Sequence, residues 1–290
     1  MAISTEIVGH EFGPFVRDYT FKDLEICALG CNAGFDGKTD LMYLNEGDAN
    51  DPHLKVLPIF GVPLTVNEEM TRTLDYGYDY AGSLHYGFEI TFHAPFKMAD
   101  HVETYVTQDA LYDRGEGRGC PSQQTGRSYS SDGTHLCTVE TWDVCINDGG
   151  WGGPRPPKDI VESPERACDA HVTETMPYNM PLIYRLMGDW HQQHIDWSYT
   201  KQTGLSRPIA HGVSLGGFVM RHIVATWFPG EPERMRRFKT RITSPVLPGT
   251  ELTTRMWQVG EHEIRFQLVD SDVDETGAKP HLNYGICTWE

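Results

Sequence analysis

The chain has 290 residues, of which 39% are hydrophobic and 11% aromatic, so a packed core is feasible and a disordered chain is not expected. This length suits one large domain or two fused domains of roughly 100–150 residues. A net charge of -17 argues against a nucleic-acid-binding protein, which needs a basic face to meet phosphates.

The cysteine pattern and the two ends of the sequence indicate the cellular compartment of the protein. The seven cysteines are an odd number without a CxxC pair, which argues against a disulfide framework or a structural zinc site. The first residues lack the charged start and apolar run of a signal peptide, and the last residues are not a peroxisomal address. No run of about 18 apolar residues is present. We therefore predict a cytoplasmic protein without a membrane span.

In the first half, "DRGEGRG" (113–119) has a glycine pattern but lacks the Lys-Ser/Thr that completes a phosphate-binding loop. The segment follows a strand-like stretch, which favours a turn between strands. Arg114 and Arg118 are candidate contacts for a phosphate group of a substrate, although most such side chains are simply solvated.

A Gly/Pro-rich segment, 147–165, is predicted to be a linker between residues 1–146 and 166–290. A weak internal repeat spans it. Residues 88–106 align with residues 238–256 at a constant offset. In both segments the pattern predicts a strand, a turn at a proline and a second strand. The repeat predicts two halves of similar architecture.

The stretch "YRLMGDWHQQHID" (184–196) places an acid and imidazoles between apolar segments. Asp189 and His194 together can hold one water molecule and exchange protons with it, which suits addition of water to a double bond. Alternatively, the acid caps a helix and the histidine lies on the surface. In the repeat, Asp189 falls on Ala33 and His194 on Lys38, so the first half lacks this pair.

A metal site is a second interpretation of the same stretch. His191 and His194 lie three residues apart and are flanked by Asp189 and Asp196, and such ligands suit zinc or iron. No third cluster in the sequence clearly completes the site, although His211 and His222 are candidates.

The segment 208–228 has Leu215, Phe218, Val219 and Ile223 at helical spacing and is predicted to be a helix. Within it, Gly212, Ser214 and Gly216 match a GxSxG nucleophile elbow, but the preceding Pro-containing stretch makes a poor central strand.

A helix start at this point is the alternative to the elbow. Gly212 would then offer a backbone N–H to an oxyanion, or would simply allow close packing.

Three segments, "LIYRLMGDWHQQHID", "RPIAHGVSLGGF" and "FKTRITSPVLPGTELTTRMW", resemble the hydratase 2 motif and its surroundings in the MaoC-like, double hot-dog enoyl-CoA hydratases. This family includes the hydratase part of peroxisomal multifunctional enzymes. "LPIFGVP", "HAPF", "DRGEGRG" and "GGWGGPRPP" also resemble family segments in order, so the resemblance runs from about Phe15 to Trp289.

The resemblance implies an α+β fold of two hot-dog units, each an antiparallel sheet wrapped around a long central helix. Residues 1–146 would shape the acyl pocket and residues 166–290 would carry the catalysis. The implied reaction is reversible addition of water to a trans-2-enoyl-CoA, giving a (3R)-3-hydroxyacyl-CoA. Coenzyme A is the carrier, no metal or redox cofactor is implied, and a homodimer is expected.

Site residues follow from the same resemblance. Asp189 and His194 would hold the water, with Asp189 drawing its proton and His194 supplying one to the α-carbon. The N–H of Gly212 would polarise the thioester carbonyl, and Trp190 and Ser214 would contact the substrate.

The sequence departs from the family pattern "GDxNPxH", because His191 stands at the Asn and Gln192 at the Pro. We expect His191 to replace the Asn, with a polar, branched or ring-bearing acyl group as substrate. A non-catalytic thioester-binding protein and a metal-dependent hydrolase or lyase are the alternatives.

Overall fold

The computed structural model describes residues 3–66, 70, 73–271 and 279–290. Most of its regular structure is antiparallel strand. The strands are β1 (Glu11–Tyr19), β2 (Gly47–Asp48), β3 (Asp51–Pro52), β4 (Ser83–Phe92), β5 (Asp100–Leu111), β6 (Cys120–Ser130), β7 (His135–Cys145), β8 (Ala170–Thr175), β9 (Met235–Ile242), β10 (Glu251–Gly260), β11 (Glu263–Asp270) and β12 (Leu282–Trp289).

Helices fill the connections on one side of the sheet. The α-helices are α1 (Phe21–Leu29), α2 (Gly61–Thr65), α3 (Met180–Tyr184), α4 (Trp197–Gln202) and α5 (Gly212–Trp227). The 3₁₀ turns are Leu41–Tyr43, Pro58–Phe60, Tyr80–Gly82, Arg185–Met187, Gln192–His194 and Pro232–Arg234. None of the described helices combines the length and the apolarity needed to cross a bilayer.

The two halves of the main sheet repeat the same topology. Its strand order is β1-β5-β6-β7-β4-β9-β12-β11-β10-β8, so β4 and β9 join two five-stranded halves edge to edge. Antiparallel pairing of Gly87 with Arg241 and of Ile90 with Phe238 forms the seam. The strands β4–β5 and β9–β10 are the segments aligned by the sequence repeat, which the structure therefore explains.

The helix α5 crosses the core as the sequence periodicity predicts. Its residues from Val213 to Val224 are all buried. A Cβ on Gly217 would lie 2.3 Å from the Cys31 sulfur, so the glycine allows the first half to pack closely against this helix. In the first half, the described residues of the matching region form the turn Pro58–Phe60 and the short helix α2.

The predicted linker runs between the halves without regular structure. β7 ends at Cys145, and β8 begins at Ala170. Asp113 holds the start of this segment, because its carboxylate accepts backbone N–H bonds from Gly150 at 2.8 Å and Gly152 at 2.7 Å. The precise domain limits at residues 146 and 166 stay predictions.

Candidate active site

A sharp loop after α3 positions Asp189. The turn Arg185–Met187 ends at Gly188, whose φ of 111° is readily adopted only by glycine. Asp189 follows at once, and one of its carboxylate oxygens accepts the His191 N–H at 3.2 Å. Its side chain keeps 47% of its surface exposed and lines a cavity, so it is open to a ligand.

His194 lies behind this carboxylate and is buried. Its Nδ1 bonds the Ile209 carbonyl at 2.9 Å, which places the ring proton on Nδ1 and leaves the Nε2 lone pair free to accept. Gln193 donates from its side-chain amide to Nε2 at 3.2 Å. The distance from Nε2 to the Asp189 carboxylate is 3.9 Å. This is too long for a hydrogen bond and suits a bridging water molecule.

His211 is a third member of the site that the sequence did not single out. Its ring stacks on that of His194, with centroids 3.6 Å apart and planes at 24°. Neither of its ring nitrogens has a hydrogen-bond partner in the described part of the chain. The ligand atoms of Asp189, His194 and His211 all lie within 4.8 Å of one another. The sequence offered it only as one candidate for a further metal ligand.

The three groups shift one another's protonation. Burial lowers the pKa of His194, and the nearby carboxylate of Asp189 partly opposes this effect. Burial also holds the pKa of His211 well below its usual value, and repulsion from His194 adds to this. Burial alone would raise the pKa of Asp189, but His211 and His194 lower it overall. Near neutral pH the site therefore holds an ionised acid and two neutral imidazoles.

These directions predict how stability depends on pH. Because the folded-state pKa values of His194 and His211 lie below the unfolded value of about 6.5, the unfolded state binds more protons between those values. The stability contribution is complete above pH ~6.5 and is lost as the pH falls through the folded-state values. We expect His211→Phe to make this loss shallower, by up to about 1.4 kcal/mol per pH unit.

Urea denaturation at several pH values measures this dependence. The control is the same substitution at the half-exposed His53, which lies outside the site. An unchanged slope in His211→Phe would contradict the assignment of a buried neutral imidazole.

His191 acts as a helix cap. Its Nδ1 accepts the Gln193 N–H at 3.3 Å at the start of the turn Gln192–His194. An asparagine oxygen commonly makes this type of bond, so the imidazole serves the same local purpose. Its ring also contacts Tyr80 and Tyr199, with centroids 5.6 and 5.4 Å away. The bulkier side chain thus joins the site to the first half.

Gly212 is the first residue of α5. A backbone N–H at this position has no acceptor within its own helix, and the helix dipole favours negative charge there. A Cβ on Gly212 would lie 2.2 Å from the Ile242 side chain. Glycine therefore also permits close packing at this point.

The other predicted contacts are placed differently. Trp190 lines the cavity, and Arg185 stacks over its ring at 4.9 Å. Ser214 is fully buried in α5 and donates its hydroxyl hydrogen to the His211 carbonyl at 2.9 Å, so it does not face the cavity.

No strand occurs in residues 203–211, and the GxSxG elbow does not form. Arg114 lies over the Tyr86 ring and Arg118 is exposed, both outside the cavity lining.

Only part of the predicted set of metal ligands assembles, namely Asp189, His194 and His211. Asp196 instead caps α4, accepting the Ser198 N–H at 2.7 Å. The rings of His194 and His211 are stacked, with centroids 3.6 Å apart and planes at 24°. A shared ion about 2 Å from both nitrogens would lie outside those planes, so the geometry suits a bridged water better.

The cavity in front of Asp189 has a volume of about 150 Å³. Its second-half wall includes Tyr184, Met187, Trp190, His191 and Val213. Its first-half wall includes Val62, Ser83, His85, Ser122, Thr141 and Asp143. The first-half residues were not found from the sequence, because only strand pairing brings them opposite the Asp189 loop.

The two paired five-stranded halves and the buried helix α5 define a double hot-dog protein, in which an acid and two imidazoles meet at the start of that helix. Residues 159–278 match the family model described as MaoC like domain. The resemblance to MaoC-like proteins and the fold class predicted from the sequence are confirmed.

Similar proteins cover almost all of this chain. Peroxisomal multifunctional enzyme type 2 of Mus musculus is 29% identical over 278 residues, which are 93% of this chain but only 36% of that protein. The 3-hydroxyacyl-thioester dehydratase Y of Mycobacterium tuberculosis is 29% identical over 280 residues, 94% of each chain. The crystal structure of a MaoC-like dehydratase from Phytophthora capsici superposes with a TM-score of 0.83 at 22% identity, covering 98% of this chain and 96% of that one.

Proposed function

We propose that this protein is a hydro-lyase that reversibly adds water to a trans-2-enoyl thioester, giving a (3R)-3-hydroxyacyl thioester. The observation that carries the proposal is the 3.9 Å separation of Asp189 and His194 at the wall of a cavity. The names of the relatives, which describe a 3-hydroxyacyl-thioester dehydratase and a peroxisomal multifunctional enzyme, support the same reaction.

In the hydration direction, one water molecule replaces the Gln193 amide at His194 Nε2, donates hydrogen bonds to both groups and turns an oxygen lone pair toward the β-carbon. The pKa of Asp189 is held below that of an ordinary carboxyl, which disfavours a proton on this group. We therefore assign the water proton to His194 Nε2, rather than to Asp189 as the resemblance implied. The water oxygen bonds the β-carbon, and the imidazolium returns the proton to the α-carbon. Asp189 stays ionised and stabilises the transient imidazolium.

The thioester carbonyl gains negative charge as the β-carbon is attacked. We assign its stabilisation to the N–H of Gly212 at the start of α5, where the helix dipole acts in the same sense. His211 packs on His194 and acts as a positioning residue for that ring.

The cavity is proposed to hold the acyl group. Its volume of about 150 Å³ is large enough for a group the size of benzene. The first half forms much of its wall, and Trp190 covers it from the second half. A compact acyl group that is polar, branched or ring-bearing fits these dimensions.

Coenzyme A is the proposed carrier, with Arg114 and Arg118 as contacts for its phosphates. A long pantetheine arm separates the phosphates from the thioester, so the position of these arginines outside the cavity is compatible with this role. We expect Arg114→Ala combined with Arg118→Ala to raise the KM for a CoA thioester about 10-fold, as expected for the loss of one or two charge-assisted hydrogen bonds.

The matched substrate for that comparison is the same acyl group on N-acetylcysteamine, which has no phosphate. Its KM should not change in the double variant. An equal rise for both thioesters would argue against a phosphate contact.

The edges of the main sheet bear on the oligomeric state of the protein. The strands β1 and β8 end the main sheet, and such edges are often covered by a partner. We propose a homodimer, measurable by sedimentation, in the cytoplasm. No cofactor other than the CoA carrier is required by the proposed steps.

The test is hydration of crotonyl-CoA and of a longer trans-2-enoyl-CoA, followed by the loss of conjugated enoyl absorbance. Loss of absorbance with the native protein is the expected result. Tight binding of both thioesters without any change would favour a non-catalytic binding protein. A stoichiometric metal in the purified protein, with activity lost on chelation, would favour the metal-dependent alternative.

A further inference from the structure

The wall of the cavity that faces Asp189 is unusually polar for an acyl pocket. Its strands contribute Ser83, His85, Ser122, Gln124, Thr141 and Asp143. Binding pockets generally combine an apolar lining with a few placed polar groups that fix orientation. This wall therefore indicates that part of the acyl group is itself polar.

Asp143 differs from the other residues of this wall. It lies on β7 directly opposite His85 of β4 and is partly buried. No backbone or side-chain donor in the described part of the chain bonds its carboxylate, although it lines the cavity. The buried Glu174 of this chain, by contrast, is bonded by Arg221 at 3.0 Å.

A half-buried carboxylate without donors is unfavourable unless a ligand or water supplies them. The charged groups around Asp143 agree with its need for a hydrogen-bond donor. Burial raises the pKa of Asp143, the nearby Asp189 raises it further, and His85 lowers it. A neutral hydroxyl satisfies such a group without adding charge.

From this geometry we infer that Asp143 is a specificity-determining residue that accepts a hydrogen bond from a hydroxyl group on the acyl part of the substrate. The inference rests on the proposed function, because it takes the cavity in front of Asp189 to be the acyl site. The preferred substrates are then compact hydroxyacyl or hydroxyenoyl thioesters. The role of Asp143 differs from that of Asp189 and His194, because Asp143 binds the acyl group whereas the pair acts at the double bond.

The test measures binding rather than turnover, using saturated thioesters that cannot be hydrated. The probes are pairs in which a hydroxyl replaces a methyl group, such as 6-hydroxyhexanoyl-CoA with heptanoyl-CoA and 5-hydroxyhexanoyl-CoA with 5-methylhexanoyl-CoA. We expect the native protein to bind the hydroxyl member of at least one pair about 10-fold or more tightly. Asp143→Leu should abolish or reverse that preference. Asp143→Asn, which keeps an acceptor oxygen, should retain part of it.

Equal ratios in the native protein and both variants, or a preference for the methyl member in every pair, would overturn the inference. If Asp143→Leu does not fold, a smaller ratio in the nearly isosteric Asp143→Asn than in the native protein decides the matter. A hydroxyl preference without hydration of any enoyl-CoA would uphold the role of Asp143 and count against the hydratase. Hydration of an enoyl-CoA without a hydroxyl preference would support the hydratase and contradict the role of Asp143.

Discussion

Asp189→Asn is expected to lower the rate of enoyl-CoA hydration by about 10²–10⁴-fold while the protein stays folded. The carboxylate holds one hydrogen of the attacking water and stabilises the imidazolium that forms on His194 at 3.9 Å. An asparagine amide would lose the charge and could present a donor to the water. Folding should survive, because the side chain is 47% exposed and makes one backbone hydrogen bond, with the His191 N–H.

Asp196→Asn is the matched control, since it makes the same change seven positions along the same loop. Asp196 caps α4 through the Ser198 N–H, and asparagine caps a helix about as well as aspartate. Its activity should stay close to native. A folded Asp189→Asn protein with full activity would remove the proposed mechanism.

The pH profile gives a second readout of the same substitution. Since Asp189 raises the pKa of His194 in the native protein, its removal should shift the acid limb of any residual activity to lower pH. A loss of activity caused by disordered structure would not move the limb in this direction.

Local patterns made part of this site predictable from the sequence. The helix start at Gly212 follows from the spacing of apolar residues over one helix, and Asp189 and His194 lie five positions apart in one loop. The two-half architecture was visible in the repeat, because strand–proline–strand segments recur at a fixed offset. Each of these signals is contained in a short stretch of sequence.

The rest of the site depends on contacts between distant segments. His211 stacks on His194 only because the Asp189 loop folds back on the start of α5, so no spacing rule points to it. Asp143 reaches the cavity through pairing with His85, 58 positions earlier in the chain. Ser214 was expected to meet substrate because of its neighbours in a motif, but its place on the helix turns it inward.

Arg221→Met is expected to lower the free energy of unfolding by about 3–5 kcal/mol, because it leaves buried carboxylates without their cation. Arg221 lies on α5 and is 1% exposed. It donates to Asp40 of the first half at 2.7 Å, to Glu174 of β8 at 3.0 Å and to the Cys31 carbonyl at 3.1 Å. Met fills the space of the aliphatic stem but replaces none of these bonds.

The matched control is Arg166→Met, which removes an ion pair of similar length, 2.7 Å to Asp169, from the surface. Exposed pairs contribute roughly 0–1 kcal/mol, so the two variants should differ clearly in chemical denaturation. If the buried carboxylates are the cause, adding Asp40→Asn and Glu174→Gln to Arg221→Met should recover part of the loss. Equal destabilisation by both arginine substitutions would instead show that the first half is held on α5 by apolar packing alone. The site depends on this attachment, because Asp189 and the cavity wall of the first half meet only when the two halves are held together.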